Sequence, residues 1–280
     1  MISKTKETLR GIRVAFAMLF VPVLFVPVLL LGGCTGVPSH PADREAYYEI
    51  NDPIEPFNRA MFRFNQGLDA VILKPLATVY DQVLPQALQD SIRNFLNNLR
   101  SPVILANNLL QGDVDGARNT IARFTVNTIV GFGGFGDPAG DLGVKYQSED
   151  FGQTLAVWSV DEGPYLMLPF LGPSNPRDAV GFVVDMLMDP INRWADNTDR
   201  DGVAIGRTVT RGIDLRARKL KRLEDLEKSS LDFYATIRSV YRQVRDDDIR
   251  DGDGDNTVPS PSISFDENSI TAGPRAQLIR

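Results

Sequence analysis

Between Asn127 and Gly140 the chain reads NTIVGFGGFGDPAG, which sets Gly131, Gly133 and Gly136 at the spacing G-x-G-x-x-G. Loops of that spacing let bare backbone approach a dinucleotide pyrophosphate. The chemistry also needs a buried strand ahead of the glycines and a helix behind them, whose N-terminus meets the phosphate. Neither context is present. DGARNTIARFTVNTIV ahead of the loop has helical periodicity, and DPAGDLG beyond it breaks regular structure. Glu149 and Asp150 stand near the place of a ribose-binding acid, but acids are common in this chain. The glycines therefore read as a flexible connection between helices.

Other reactive groups are scarce. The only histidine, His40, stands among Pro38 and Pro41, and the only cysteine is Cys34. No Ser-His-Asp or Cys-His arrangement and no His/Cys zinc set can be assembled within the fold from these. Carboxylates are plentiful, yet nothing singles out a pair for acid–base work. DGDGDN, Asp251 to Asn256, places oxygens at alternate positions as a calcium loop does. The required glycine is replaced by Asn256, and Ser262 stands where the bidentate glutamate belongs. An acidic tail is the better reading. The expectation is a protein that is not an enzyme, with no catalytic residue, cofactor or metal. A net charge of −6 carries no nucleic-acid footprint.

The N-terminus supplies stronger information. Lys4, Lys6, Arg10 and Arg13 precede the uncharged run VAFAMLFVPVLFVPVLLL, and LGGC follows, ending at Cys34. A basic segment, an apolar segment and small residues before a break describe a secretory signal. Small residues directly followed by cysteine resemble a bacterial lipobox, whose thiol is acylated and becomes the new N-terminus. The competing reading is an uncleaved membrane anchor, because the apolar run approaches spanning length. Pro22 and Pro27 weaken a continuous helix there. Thr35, not aspartate, follows the cysteine, and by the enterobacterial sorting rule the lipoprotein is expected in the outer membrane.

The elements that follow are mainly helical. Residues 1–33 read as the signal peptide, 34–50 as a lipid-anchored tether, 51–250 as a helical domain and 251–280 as a disordered acidic and polar tail. In NDPIEPFNRAMFRFNQGLDAVILKPL, Asn51 or Asp52 suits a helix cap, and Phe57, Met61, Phe64 and Leu68 form one stripe. QALQDSIRNFLNNLRSP puts Ile92, Phe95, Leu96 and Leu99 on one face, and Pro102 is expected to end or re-aim that helix. In the next helix Ile121, Phe124 and Thr128 oppose Asn119, Arg123 and Asn127. FGQTLAVWSV is a short helix or strand, GPYLMLPFLGPSNP an apolar loop, and PRDAVGFVVDMLMDP a helix of mixed face. From Val203 to Arg250 the pattern is helical nearly throughout. Taken alone, each apolar stripe reads as core. Phe132 and Phe135 on a Gly-rich backbone, and the apolar loop around Phe170, suit a bilayer or a partner better than water.

Several blocks carry a resemblance in order. NDPIEPFNRAMFRFN, LLQGD, FTVNTIVGFGGFGDPAG and FGQTLAVWSVDEGPYLMLPFLGPSNPRD, after the lipobox, resemble the MlaA family of outer-membrane lipoproteins that maintain lipid asymmetry. The resemblance implies a mainly α fold, a ring of amphipathic helices lying in the inner leaflet with a Gly-rich hairpin loop. It implies a non-enzymatic channel that removes mislocalised phospholipids from the outer leaflet. Its implied partners are phospholipids, an outer-membrane porin trimer and a periplasmic lipid-carrier protein, with no nucleic acid. Cys34 matches the acylated cysteine. Asn51, Asp52, Pro53, Phe57, Asn58 and Arg59 match the signature near the channel. Gly131, Gly133 and Gly134, with Phe132 and Phe135, match the hinge into the hairpin. The alternative function is a structural scaffold lipoprotein associated with porins, and a carboxylate-based lipid hydrolase is a third. Replacing Cys34 by Ala is expected to abolish acylation and release the chain from the membrane fraction; retention of C34A after carbonate extraction would instead mean an uncleaved span.

Overall fold

The computed structural model describes residues 51–250. The signal segment, Cys34, the tether and the tail with its DGDGDN run lie outside the described residues. Helix α1 spans Glu55–Leu68 and passes through a wide π turn, Asp69–Leu73, into α2, Lys74–Val83. The wide turn has a local cause: Pro75 lacks an N–H and would clash with a carbonyl one regular turn back. Neither Asn51 nor Asp52 caps α1, whose first residue follows Ile54 without a side-chain cap.

Helix α3, Gln86–Gln111, runs through Pro102 without a break, against the expected stop. An interior proline costs about 3 kcal/mol. Buried Asn98, Asn107 and Asn108 bond from both halves of α3 to Thr128, Asp185 and Thr120 on neighbouring helices, which offsets that cost. Gly112, at φ 79°, ends α3 in the left-handed region, and Asp113 accepts from the Asp115 and Gly116 amides to start α4, Val114–Ile129. A single turn, α5, covers Pro138–Asp141 within the stretch expected to be irregular. Helix α6, Phe151–Val157, is capped by Asp150.

The apolar loop expected around Leu168 is a small hairpin. Strands β1, Leu166–Leu168, and β2, Gly172–Ser174, pair antiparallel with Leu166 opposite Ser174 and Leu168 opposite Gly172. Helices α7, Pro176–Met188, and α8, Pro190–Asn197, each begin with a capping Asn or Asp followed by proline, a strong start signal. Helices α9, Asp201–Arg218, α10, Leu220–Ser229, and α11, Phe233–Ile249, complete the described chain.

Packing runs in a circuit. Helix α2 lies against α9, α9 against α8, α8 against α7, α7 against α6, α6 against α11, α11 against α10, and α10 returns to α2. Helix α3 fills one side by touching α4, α6, α8 and α9. The tightest crossing is α6 on α7, where a Cβ on Gly181 would sit 2.3 Å from the Gly152 nitrogen. G181A is therefore expected to lower stability by about 1–3 kcal/mol through overpacking. G206A, which faces open space on α9, is expected to raise it by up to about 1 kcal/mol. Thermal melts of the two variants in detergent check the pair.

Candidate functional site

The signature around Asn51 folds into a clasp. Asn58 is fully buried, and its amide donates to Asp52 Oδ1 at 2.8 Å and to the Tyr165 carbonyl at 2.9 Å. Its oxygen accepts from the Met167 amide at 2.9 Å. Two turns along α1, Asn65 repeats the pattern with the Leu168 carbonyl, 2.8 Å, and the Phe170 amide, 2.9 Å. These two side-chain amides act as a second strand along the hairpin edge, satisfying backbone groups that would otherwise be orphaned. Asn51, held at φ 48°, donates from its side chain to the Gly163 carbonyl and accepts at its own carbonyl from Tyr165.

Asp52 gathers three donors: Asn58, the Tyr234 hydroxyl at 2.5 Å and Arg238 Nη1 at 2.6 Å. Burial, reinforced by the Asp52 bond, pushes the Tyr234 hydroxyl far above its ordinary pKa, so it stays a donor. Arg59 grips Asp232, the cap of α11, with both terminal nitrogens and lies 4.5 Å over the Tyr234 ring. Tyr165, Met167 and Tyr234 form the buried apolar cluster beneath, with Met61 and Phe62 packed on it. The expected Phe57–Met61–Phe64–Leu68 stripe is not the face that packs inward. Asn58, Phe62 and Asn65, with Met61 alone from the stripe, hold that position, while Phe64 is exposed and meets the Phe170 ring edge-to-face at 5.5 Å. Phe57 and Pro53 are half-buried.

The Gly-rich residues sit elsewhere, at the C-terminus of α4. Phe132, Gly133 and Gly134 are all left-handed, at φ 54°, 76° and 98°. The amides of Gly133, Gly134 and Gly136 donate to the carbonyls of Thr128, Asn127 and Gly131. They thus close the carbonyl end of a helix, opposite in polarity to a phosphate-binding helix start. A Cβ on Gly134 would lie 2.5 Å from Asn98 Cβ, and one on Gly131 would lie 2.4 Å from the Asn127 carbonyl. Phe135 stacks on Phe95 at 4.6 Å, whereas Phe132 is 88% exposed. Behind the turn, Asp137 accepts from Arg123, Asn127 and the Gly140 amide. Burial alone would raise the Asp137 carboxyl, but these bonds outweigh it and hold it below the usual carboxylate range. The stretch is a knot of turns and not itself a strand hairpin; the paired strands are those at 166–174.

Three of the helices, α4, α7 and α9, are inverted relative to a water-soluble domain, whereas α3 also buries Leu96, Val103 and Ile104. On α4, Thr120 and Asn127 are buried while Ile121, Phe124 and Ile129 are exposed. On α9, Asp214 is buried while Val203, Ile205, Val209 and Leu215 face outward. On α7, Arg177 is buried while Val180, Val183 and Leu187 are exposed. The interior is wired accordingly. Asn107 donates to Asp185 and accepts from Thr154, each at 2.9 Å. Arg245 joins Asp150 at 2.7 Å and Asp178 at 3.0 Å, tying α6, α7 and α11 together. Among the described residues no helix is long and apolar enough to cross a membrane.

Comparison with known proteins decides the family. The family model described as MlaA lipoprotein matches residues 50–248. The chain belongs to the MlaA lipoprotein family. An Escherichia coli relative, the intermembrane phospholipid transport system lipoprotein MlaA, is 36% identical over 200 residues, covering 70% of this chain and 77% of its own. The Haemophilus influenzae protein of the same name is 32% identical over 229 residues, covering 80% and 88%. A solved structure described as the structural basis for maintenance of bacterial outer membrane lipid asymmetry aligns at TM-score 0.63 and 34% identity, covering 71% of this chain and 98% of that one.

For this MlaA family member, the sequence reading missed Tyr165, Tyr234, Arg238 and Arg245, the distant halves of the clasp and of the interior network. Their signal was weak: Tyr234, Arg238 and Arg245 lie in a stretch that periodicity marks only as helical, and Tyr165 in one that reads as an apolar loop. N58L should leave Asp52 one donor short and orphan Tyr165 O and Met167 N–H, costing about 3 kcal/mol or more. N65L, less buried, should cost about 1–2 kcal/mol. Denaturant titration with protease cutting of the 163–174 hairpin reads both.

Proposed function

We propose that this chain is a lipid-anchored outer-membrane component through which phospholipids leave the outer leaflet toward a periplasmic carrier. The inverted helices carry the reading. A polar interior bounded by apolar outer faces suits a protein immersed in lipid that must still pass a charged headgroup. A headgroup in hydrocarbon is costly, and a path lined by amide, hydroxyl and guanidinium groups lowers that cost while the tails stay in the bilayer. The exposed Val71, Val79, Val180, Ile205 and Ile129 side chains would be costly in water at about 25 cal/mol per Å². Trp158 and Trp194, half-exposed with polar indole edges, suit a membrane boundary. In this reading the amphipathic helices lie along one leaflet, the inner one if Cys34 anchors the chain from the periplasm. Transfer of this kind breaks no covalent bond in the lipid.

The names of the Escherichia coli and Haemophilus influenzae relatives, intermembrane phospholipid transport system lipoproteins, support the same job. A trimeric porin is the expected membrane neighbour, and the apolar rim would serve that contact too. A scaffold lipoprotein would use the rim alone, and the two readings separate on the Gly-rich turn. Gene deletion is expected to raise phospholipid in the outer leaflet, measured by surface labelling or lipid A palmitoylation, and the intact gene to restore the barrier. The G133V/G134V double variant is expected to stay anchored and yet fail to restore it, because Gly133 and Gly134 are left-handed and Gly134 abuts Asn98. Unchanged surface phospholipid after deletion would sink lipid passage; full rescue by the double variant would favour the scaffold.

A further inference from the structure

Helix α9 carries Arg207, Arg211, Asp214 and Arg218 at spacings of four, three and four, so one face of it is charged along its length. Three of these four are satisfied. Arg207 pairs with Asp189, and Arg218 pairs with Asp214, which also accepts from the Tyr80 hydroxyl. Arg211 has no carboxylate within ion-pair distance among the described residues.

Its surroundings are positive. Arg100, on α3, which packs on α9, is also without a carboxylate at ion-pair distance among the described residues and donates to Ser148 Oγ, 2.9 Å, and the Glu149 carbonyl. Nearby acids are engaged: Asp150 with Arg245, and Asp185 with Asn107 and the Phe151 amide. The Tyr146 hydroxyl lies beside Arg211, is shut off from solvent and has no aligned hydrogen-bond partner. Arg123 lies over that ring at 5.7 Å, and a shallow cleft opens beside it between Ser101, Thr120 and Lys145. Burial, followed by the Arg100 charge, holds the Arg211 guanidinium below its ordinary pKa, with Tyr146 opposing. An isolated, desolvated cation beside a second one destabilises a fold, and such groups concentrate where a ligand completes them.

We propose that Arg100, Arg211 and the Tyr146 hydroxyl form a binding site for a phosphate-ester anion, the phosphodiester of a phospholipid headgroup on its way through the polar interior. The inference rests on the lipid-passage reading above. Two guanidinium groups supply planar donors matched to phosphate oxygens, and the hydroxyl supplies one more. An arriving phosphate removes the repulsion between the arginines and satisfies the buried tyrosine in one step. All three residues are partly exposed, while the Tyr146 hydroxyl itself is closed to solvent and is reached once an arriving headgroup displaces the side chains over it.

The test uses the full-length lipoprotein purified in detergent and native mass spectrometry. Three probes are titrated: dihexanoyl-phosphatidylglycerol, dihexanoylglycerol with the same tails and no phosphate, and inorganic phosphate. The wild type is expected to prefer the phospholipid to the diacylglycerol by about tenfold or more, the value of a charge-assisted hydrogen bond. R211Q and R100Q should each remove most of that preference, and R211K should keep part of it. Because R211Q relieves a buried unpaired charge, its melting temperature is expected to equal or exceed that of the wild type. Unchanged discrimination in R211Q would overturn the site, as would unfolding of that variant, which would make Arg211 a structural cation. Inorganic phosphate binding as tightly as the lipid would overturn the headgroup assignment in favour of free phosphate. Loss of the site with wild-type rescue of the deletion strain leaves lipid passage standing; unchanged surface phospholipid on deletion removes passage whatever the site binds.

Discussion

Many polar side chains buried in this protein find a partner on another element, and that constraint arranges the helices; the Tyr146 hydroxyl is an exception. Asn58 shows it most plainly: one amide joins α1 to β1 and to the carboxylate that also receives Tyr234 and Arg238 from α11. Asn107 does the same between α3, α6 and α7, and Arg245 between α6, α7 and α11. A hydrophobic core can slide by a methylene at small cost. A buried amide left without its partner costs about 1–3 kcal/mol, so the register of each element is set by discrete bonds.

This inversion explains how a chain with few large buried side chains holds its shape. The fully buried apolar cluster is small, Tyr165, Met167 and Tyr234, while many aliphatic side chains face outward. In hydrocarbon those outward groups lose nothing by exposure, and polar interior contacts become the main source of specificity. The same wiring makes the interior hospitable to a headgroup. Its amides, hydroxyls and guanidinium groups are fixed by neighbours and need little reorganisation to meet a polar guest.

Much of the local structure was legible from residue order. The helices over 114–129 and 176–188 follow from periodicity, because side-chain period is local, whereas the Asn175 and Asp189 caps and α8 emerge only in the structure. The family was legible too, through blocks in order. The helix running through Pro102 was not, since neighbours outside the local window supply the compensating contacts. Nor was the 166–174 hairpin: its outer edge is satisfied by Asn58 and Asn65, more than a hundred positions away.

The sequence by itself determined that the chain is mainly helical, which family it resembles, and that a helix, not a strand, precedes its glycines. Only the tertiary structure decided which face of each helix points inward. Periodicity reports that a stripe exists, but an apolar stripe is equally suited to a core and to a bilayer. The choice depends on whether the opposite, polar face can satisfy its hydrogen bonds inside, and those partners lie on elements that only folding brings together.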